Sequence, residues 1–215
     1  MRIYMSISVN ISMRMEIRIT AHPRQFLPCL PPFRLSITGE TMTVTVPSYA
    51  APAAAPAPAG IAPDRFKQAF RRYPAGVVVI TADAGRGPVG FTATSLTSLS
   101  LDPPLISFGI GTTTSSWPHF EQALTAVVHF LGAEQQTLAS TFATSGVDRF
   151  AAPTRWHRLP GGEPTLDGVA GGLRVEIEQI VPAGDHRIVI ARVVDAWLDE
   201  GRSPLLFHDG AYHSL

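Results

Sequence analysis

Residues 85–100 read GRGPVGFTATSLTSLS, and the segment after its last glycine separates two folds. Gly85, Gly87 and Gly90 match G-x-G-x-x-G, the spacing of a dinucleotide-binding turn. That turn works only where a strand enters it and a helix leaves it, because the helix N-terminus holds the pyrophosphate. A strand does enter: GVVVITAD at 76–83 is a β-branched run. The segment that leaves carries hydroxyls too densely, and helical periodicity too weakly, to be that helix. The stretch therefore reads as a β-hairpin, its glycines serving the positive φ of a tight turn. GFTATSLTSLS at 90–100 is then a second strand.

Further along the chain, Asp102-Pro103-Pro104 stops that strand, and LISFGIG at 105–111 is the next. TAVVHFLG at 125–132 is a fourth. GLRVEIEQIVPAG at 172–184 and HRIVIARVVDAWLD at 186–199 are two long strands, with Asp185 and His186 at the turn between them. PLLFHDGAYHSL at 204–215 closes the chain as a short strand or strand pair. Helices are few. One opens at Pro63-Asp64, where proline suits the first turn and the acid its positive end, and Phe66, Ala69, Phe70 and Tyr73 share one of its faces. The others are expected over 117–124 and 133–143, and a Gly/Pro-rich loop over 145–171. Helices that do not alternate with strands argue against a doubly wound parallel sheet. The pattern predicts a mainly β (α+β) domain: an antiparallel barrel with a few short covering helices.

The first 60 residues are of another kind. Apolar residues alternate from Ile3 to Ile19, a run longer than a usual strand, and Pro23, Pro28, Pro31 and Pro32 come after it. We read this as an over-extended start with Met42 as the true first residue; an arm or a strand added to an oligomer partner is the alternative. PSYAAPAAAPAPAG at 47–60 is an extended linker, which sets the domain boundary between residues 1–60 and 61–215. Equal numbers of basic and acidic side chains, 17 each, give no global field toward nucleic acid or an anionic membrane. No run of 18 apolar residues predicts a membrane helix. The single cysteine, Cys29, has no partner within the chain, which suits a reducing cytoplasm.

Two features carry candidate chemistry. Thr92, Thr94, Ser95, Thr97, Ser98 and Ser100 crowd one segment, and Thr112, Thr113, Thr114, Ser115 and Ser116 precede a predicted helix. Hydroxyls and backbone N–H groups so placed hold phosphate without lysine; equally, threonine is a good strand former and a hydroxyl run caps a helix. Histidine is the side chain whose ordinary titration lies nearest neutrality, so His186 suits hydrogen bonding to a cofactor, or is a plain turn residue. His119, His129, His157, His208 and His213 lack metal-ligand spacing, so no metal is expected. Trp117, Trp156 and Trp197 offer flat rings or core anchors. There is no nucleophile elbow and no phosphate loop of the GxxxxGK type.

Taken together, FRRYPAGVVVITA (70–82), GFTATSLTSLSLDPPLISFGI (90–110), AGDHRIVIARV (183–193) and PLLFHDGAYHSL closely resemble the flavin reductase-like domain family, in order and over about residues 64–215. The G-F-T-x-x-S-x-x-S run with S-L-D-P-P after it is the most specific part. The resemblance implies an FMN-binding split β-barrel, a homodimer with flavin near the subunit interface, and hydride transfer from NADH or NADPH to FMN or FAD. It implies reduced flavin supplied to a separate monooxygenase. It points to Thr92, Ala93, Thr94, Ser95 and Ser98, with Thr112, Thr113, Thr114, Ser115 and Ser116, as flavin ligands. His186 becomes the catalytic orienting residue, and Phe150 and Trp156 cover the nicotinamide side, with Tyr212 a weaker candidate. Val175 stands where the family often has cysteine. Three rival functions are a flavin carrier or sensor, a scaffold, and a pyridoxamine-phosphate-type oxidase, which would want a basic clamp the hydroxyl strand lacks.

Overall fold

The computed structural model describes residues 34–38, 41–45, 60–199 and 201–214. The chain divides into two units, Met1–Gly60 and Ile61–Leu215. In the first, β1 (Arg34–Thr38) and β2 (Thr41–Thr45) pair as an antiparallel hairpin. The alternating run of residues 1–20, Cys29 and most of the Ala/Pro-rich segment lie outside the described residues.

The second unit begins with helix α1 (Pro63–Arg71), Pro63 in its first turn. Strands β3 (Ala75–Gly76), β4 (Val78–Ala82) and β5 (Val89–Ala93) come next, then β6 (Thr97–Leu101) and β7 (Pro104–Gly111). After α2 (Trp117–Phe120) come β8 (Thr125–Phe130), a 3-10 turn at Ala133–Gln135 and α3 (Gln136–Ala143). The remaining strands are β9 (Trp156–Arg158), β10 (Pro164–Leu166), β11 (Gly171–Ala183), β12 (His186–Leu198), β13 (Leu205–His208) and β14 (Ala211–Ser214). The GRGPVG segment is the β4–β5 hairpin turn. Gly85 and Gly87 take φ of +82° and +103°, and Asp83 Oδ1 accepts both their N–H groups.

Seven strands form one sheet in the order β5-β4-β8-β11-β12-β7-β6, each pair antiparallel. In one respect this corrects the sequence expectation. GFTATSLTSLS is not one strand but two, β5 and β6, and they lie on opposite edges of the sheet. Only Thr94, Ser95 and Leu96 join them. Four Cα steps reach at most about 14 Å, whereas the edges of a flat sheet this wide stand about 29 Å apart at ~4.8 Å per strand. The sheet must therefore curl until its edges meet, a barrel left open along the β5–β6 seam. The helix expected over 117–124 also ends early, at Phe120, because by Leu124 the backbone accepts a hydrogen bond from Ile177 of β11.

Two cores result from this curl. Inside it, Ile80, Phe91, Phe108, Ile110, Phe120, Val128, Val175 and Val189 pack together. Phe120 stands edge-on to Phe91 and Phe108, at 5.5 and 5.9 Å between ring centres. Outside it, Val77, Val79, Leu131, Ala139, Phe142, Leu166 and Leu205 form a second cluster under α3. β4 is buried on both faces, which is why its sequence is an unbroken apolar run rather than an alternation.

Candidate functional site

On β7 the residues Ile106, Phe108 and Ile110 point into the core, so Ser107, Gly109 and Gly111 face outward. β12 pairs beside them with Ile190, Ile188 and His186 opposite those three. The outer face thus has a strip with no side chain at two successive outward positions. His186, Ile188, Ser95 and Thr114 border it. A Cβ on Gly111 would lie 3.3 Å from Thr114 Cγ2 and 3.6 Å from His186 Nε2; one on Gly109 would lie 3.4 Å from Ser95 Oγ. The glycines make a floor of bare backbone that is partly open at Gly109 and, at the buried Gly111, closed over by the Thr114 and His186 side chains.

The loop leaving β7 wraps this floor. Thr112 N–H and Oγ1 both donate to Asp185 O, at 3.0 Å each, which ties the loop to the β11–β12 turn. Thr114 Oγ1 donates to Gly111 O at 2.8 Å. Ser116 is the residue before α2 yet makes no side-chain cap; its buried hydroxyl donates to Gly90 O at 2.9 Å instead. Helix capping therefore does not explain the hydroxyl run. Ser95 Oγ accepts from Gly109 N–H at 2.9 Å, which leaves its own proton free to donate. The exposed hydroxyls of Thr94, Ser98 and Thr113 take no part in these internal bonds. This donor set, exposed hydroxyls bordering the floor, suits the ribityl and phosphate oxygens of a flavin.

His186 Nδ1 lies 2.7 Å from Asp185 Oδ1. An ionised carboxylate only accepts, so the neutral imidazole carries its proton on Nδ1 and keeps Nε2 as an acceptor beside Gly111. The same hydrogen bond holds the Asp185 carboxyl below its usual range. On the other face of β12, the Arg187 guanidinium lies 5.8 Å from the Trp117 ring centre.

Not every candidate gathers here. Thr92 Oγ1 donates to Ala139 O of α3 at 2.6 Å, on the far side of β5, and Ala93 is buried in the inner core. Phe150 and Trp156 stack edge-on at 5.2 Å, with Trp156 Nε1 donating to Phe150 O at 3.0 Å. Both pack against the second cluster. Tyr212 packs on Phe207 at the same cluster. Phe150 does line, with Ser115 and Ser116, a cavity of about 230 Å³. Arg149, which sequence reasoning missed, reaches into that group. Its Nη1 and Nη2 each lie 3.3 Å from Ser115 Oγ. No local signal marks it: the contact spans 34 positions out of a glycine-containing loop. A larger hollow of about 430 Å³ lies elsewhere, lined by Asp83, Thr125, Arg158 and Glu163. Its charges are already paired, Arg158 with Asp83 and Arg174 with Glu163.

A family model described as a flavin reductase like domain matches residues 70–215. The chain is 46% identical over 158 residues to an NADH:FMN oxidoreductase of Rhodococcus qingshengii, covering 72% of this chain and 82% of that protein. It is 34% identical to the reductase subunit HsaB of a flavin-dependent monooxygenase from Rhodococcus jostii, covering 72% and 79%. Among solved structures, a flavin reductase domain protein from Arthrobacter sp. FB24 superposes with a TM-score of 0.67 at 38% identity, covering 71% of this chain and 94% of that one.

Proposed function

The chain belongs to the flavin reductase-like domain family, and on that premise we propose that it spends NADH or NADPH to reduce FMN or FAD and passes the reduced flavin to a separate monooxygenase. One observation carries the reading. His186 and the hydroxyl loop of residues 112–116, from distant parts of the chain, meet over the floor of Gly109 and Gly111.

Flavin and nicotinamide, when bound, would supply the reactive electrons as a hydride passed from nicotinamide C4 to flavin N5, and the protein supplies position and field. The residues divide that work. Thr94, Ser95, Ser98, Thr113 and Ser115 would hold the ribityl and phosphate oxygens. Gly109, only partly covered, would let the ring approach the backbone. His186, its tautomer fixed by Asp185, offers Nε2 to orient the nicotinamide over the ring. The absence of a paired nucleophile and base is then expected. The hydroxyls alone do not separate this enzyme from a pyridoxamine-phosphate-type oxidase, because Arg149 adds a cation beside Ser115; family membership separates them.

Two further expectations belong to this reading. The enzyme is a homodimer, which is supported by apolar side chains left uncovered in one copy: Leu101 is 92% exposed, and the aromatic face of α1 is bare. It works in the cytoplasm, where the nicotinamide pool is; among the described residues no helix is long and apolar enough to cross a membrane.

The test is nicotinamide oxidation by purified protein with FMN, FAD or riboflavin added in turn, alongside His186→Ala. Turnover that requires added flavin is expected, with single-turnover reduction by the variant slowed about 10²-fold or more while flavin affinity changes little. Flavin that co-purifies but is never reduced by either nicotinamide would instead mark a carrier or sensor.

A further inference from the structure

The hollow of about 430 Å³ beside the β4–β5 and β9–β10 turns shares no residue with the proposed flavin site, and one buried group in its wall is only half engaged. Glu163 is 3% exposed. Its Oε1 accepts from Arg174, at 2.8 Å from Nε and 2.7 Å from Nη2. Its Oε2 is buried and meets no donor among the described residues. Burial works to raise the Glu163 pKa, but the Arg174 hydrogen bond outweighs it and holds the carboxyl below its usual range. The group is therefore ionised at neutral pH. A buried acceptor without a donor costs about 1–3 kcal/mol, and more when it is charged. The turn keeps that oxygen in place. Leu159 N–H donates to Glu163 O at 2.9 Å, and Gly162 N–H to Leu159 O at 2.8 Å. A Cβ at Gly161 would collide with Glu163 Oε2, so glycine there lets the carboxylate stand where it does.

Arg158 lines the same hollow with the opposite charge. Its Nη2 donates to Asp83 Oδ2 at 2.6 Å and its Nη1 to Gly162 O at 2.5 Å. A guanidinium has five N–H groups, so donors remain, on a side chain that is 44% exposed. Asp83 has none of that freedom: Oδ1 accepts from Gly85 and Gly87 N–H and Oδ2 from Arg158. The two carboxylates and two guanidinium groups, Arg158 with Asp83 and Arg174 with Glu163, cancel in charge. A ligand of either net charge would upset that balance. A phosphate would face the bare oxygen of Glu163, and a plain cation would face Arg158. A ligand that carries both signs completes both groups at once.

We propose that this hollow is a second ligand site, for a small zwitterion of the amino-acid class, whose ammonium donates to Glu163 Oε2 and whose carboxylate accepts from Arg158. Water also donates to a carboxylate oxygen, but an ammonium does so with charge on both partners, which roughly doubles the strength of the bond. The Thr125 hydroxyl on the same wall adds a polar contact. The site is independent of the flavin reductase reading, since none of its residues holds flavin or nicotinamide in that reading.

Isothermal titration of the full chain in an amine-free buffer tests it. Glycine, β-alanine and γ-aminobutyrate serve as zwitterions of increasing span, with methylamine and acetate as their halves. At least one zwitterion is expected to bind saturably, one per chain, and about tenfold or more tighter than either half. Glu163→Gln keeps the shape and removes the charge, and is expected to weaken that binding about tenfold or more while FMN binding is unchanged. Gly161→Ala is the second variant, should Arg174 without its counter-charge fold poorly. It keeps every charge and displaces the carboxylate, and the same loss is expected. Methylamine that binds as tightly as the best zwitterion would make the hollow a plain cation site. Binding that neither variant alters would put the ligand elsewhere, and no saturable binding by any of the three would leave the oxygen to water. Each of these results overturns the proposal.

Discussion

His129 shows how a single residue can be chemistry-bearing by type and structural by position. It is buried where β4, β8 and β10 meet. Nδ1 donates to Val79 O at 3.0 Å, and Nε2 accepts from Leu166 N–H at 3.0 Å and from the Thr165 hydroxyl at 3.2 Å. Both nitrogens are satisfied by the neutral ring, and burial pushes its pKa down from 6.5 to about 4. The unfolded chain therefore takes up a proton between those values that the folded chain refuses. The stabilisation is complete above pH 6.5 and is lost progressively as pH falls toward 4, up to about 3 kcal/mol at ~1.4 kcal/mol per unit. Urea unfolding followed from about pH 7.5 down to about 4.5 should show this slope, and His129→Gln should flatten it. Equal slopes in the two proteins would mean that other groups govern the acid limb. Histidine type alone did not tell His129 from His186. The difference is position along a strand: one sits in the middle of β8, the other begins β12 beside a free turn. Arg149 was less legible still, since its contacts with Ser115 and Ser116 arise only when a loop folds back onto residues far behind it.

Among the elements, the β11–β12 hairpin could be read almost whole, because two long β-branched runs around Gly184-Asp185 leave one way to pair. The hydroxyl segment could not. Its alternation continues from β5 into β6 without a break in pattern, and nothing local shows that the chain leaves one sheet edge and joins the other. That crossing depends on closure, a property of all seven strands together. Gly90 is where β5 meets the helix layer, and it is required for packing rather than for turn geometry. A Cβ there would lie 2.6 Å from Phe142 Cε1, 2.9 Å from Cδ1 and 3.0 Å from Ile80 O. Phe142 is held in turn, edge-on against Phe150, and the Ile80 contact is backbone. Gly90→Ala should therefore destabilise by roughly 1–3 kcal/mol, measured by chemical denaturation, with the Gly109 and Gly111 floor left intact. Wild-type stability in that variant would show that the Phe142 ring swings aside freely.

Over the full domain, the segment whose pattern predicts an amphipathic helix proves to be a helix without a core. Phe66, Phe70 and Tyr73 of the α1 segment are 52%, 60% and 68% exposed, and α1 buries none of its residues. The pattern was legible; its partner was not, because periodicity says which face wants cover and never what covers it. Phe66 and Phe70 lie 4.7 Å apart and form one patch of the kind that marks an interaction surface rather than scattered apolar residues. If two copies of this chain meet there, the patch supplies the apolar centre of the homodimer, and the surrounding Arg65, Lys67 and Arg71 its polar rim. Replacing both Phe66 and Phe70 with aspartate places two charges in that centre, a change that costs several kcal/mol when desolvated. Sedimentation should then show a dimeric wild type and a monomeric variant whose circular dichroism is unchanged, since α1 contributes nothing to the barrel's own core. A variant that remains dimeric would place the interface on another face, with Leu99 and Leu101 at the β6 edge the next surface to charge.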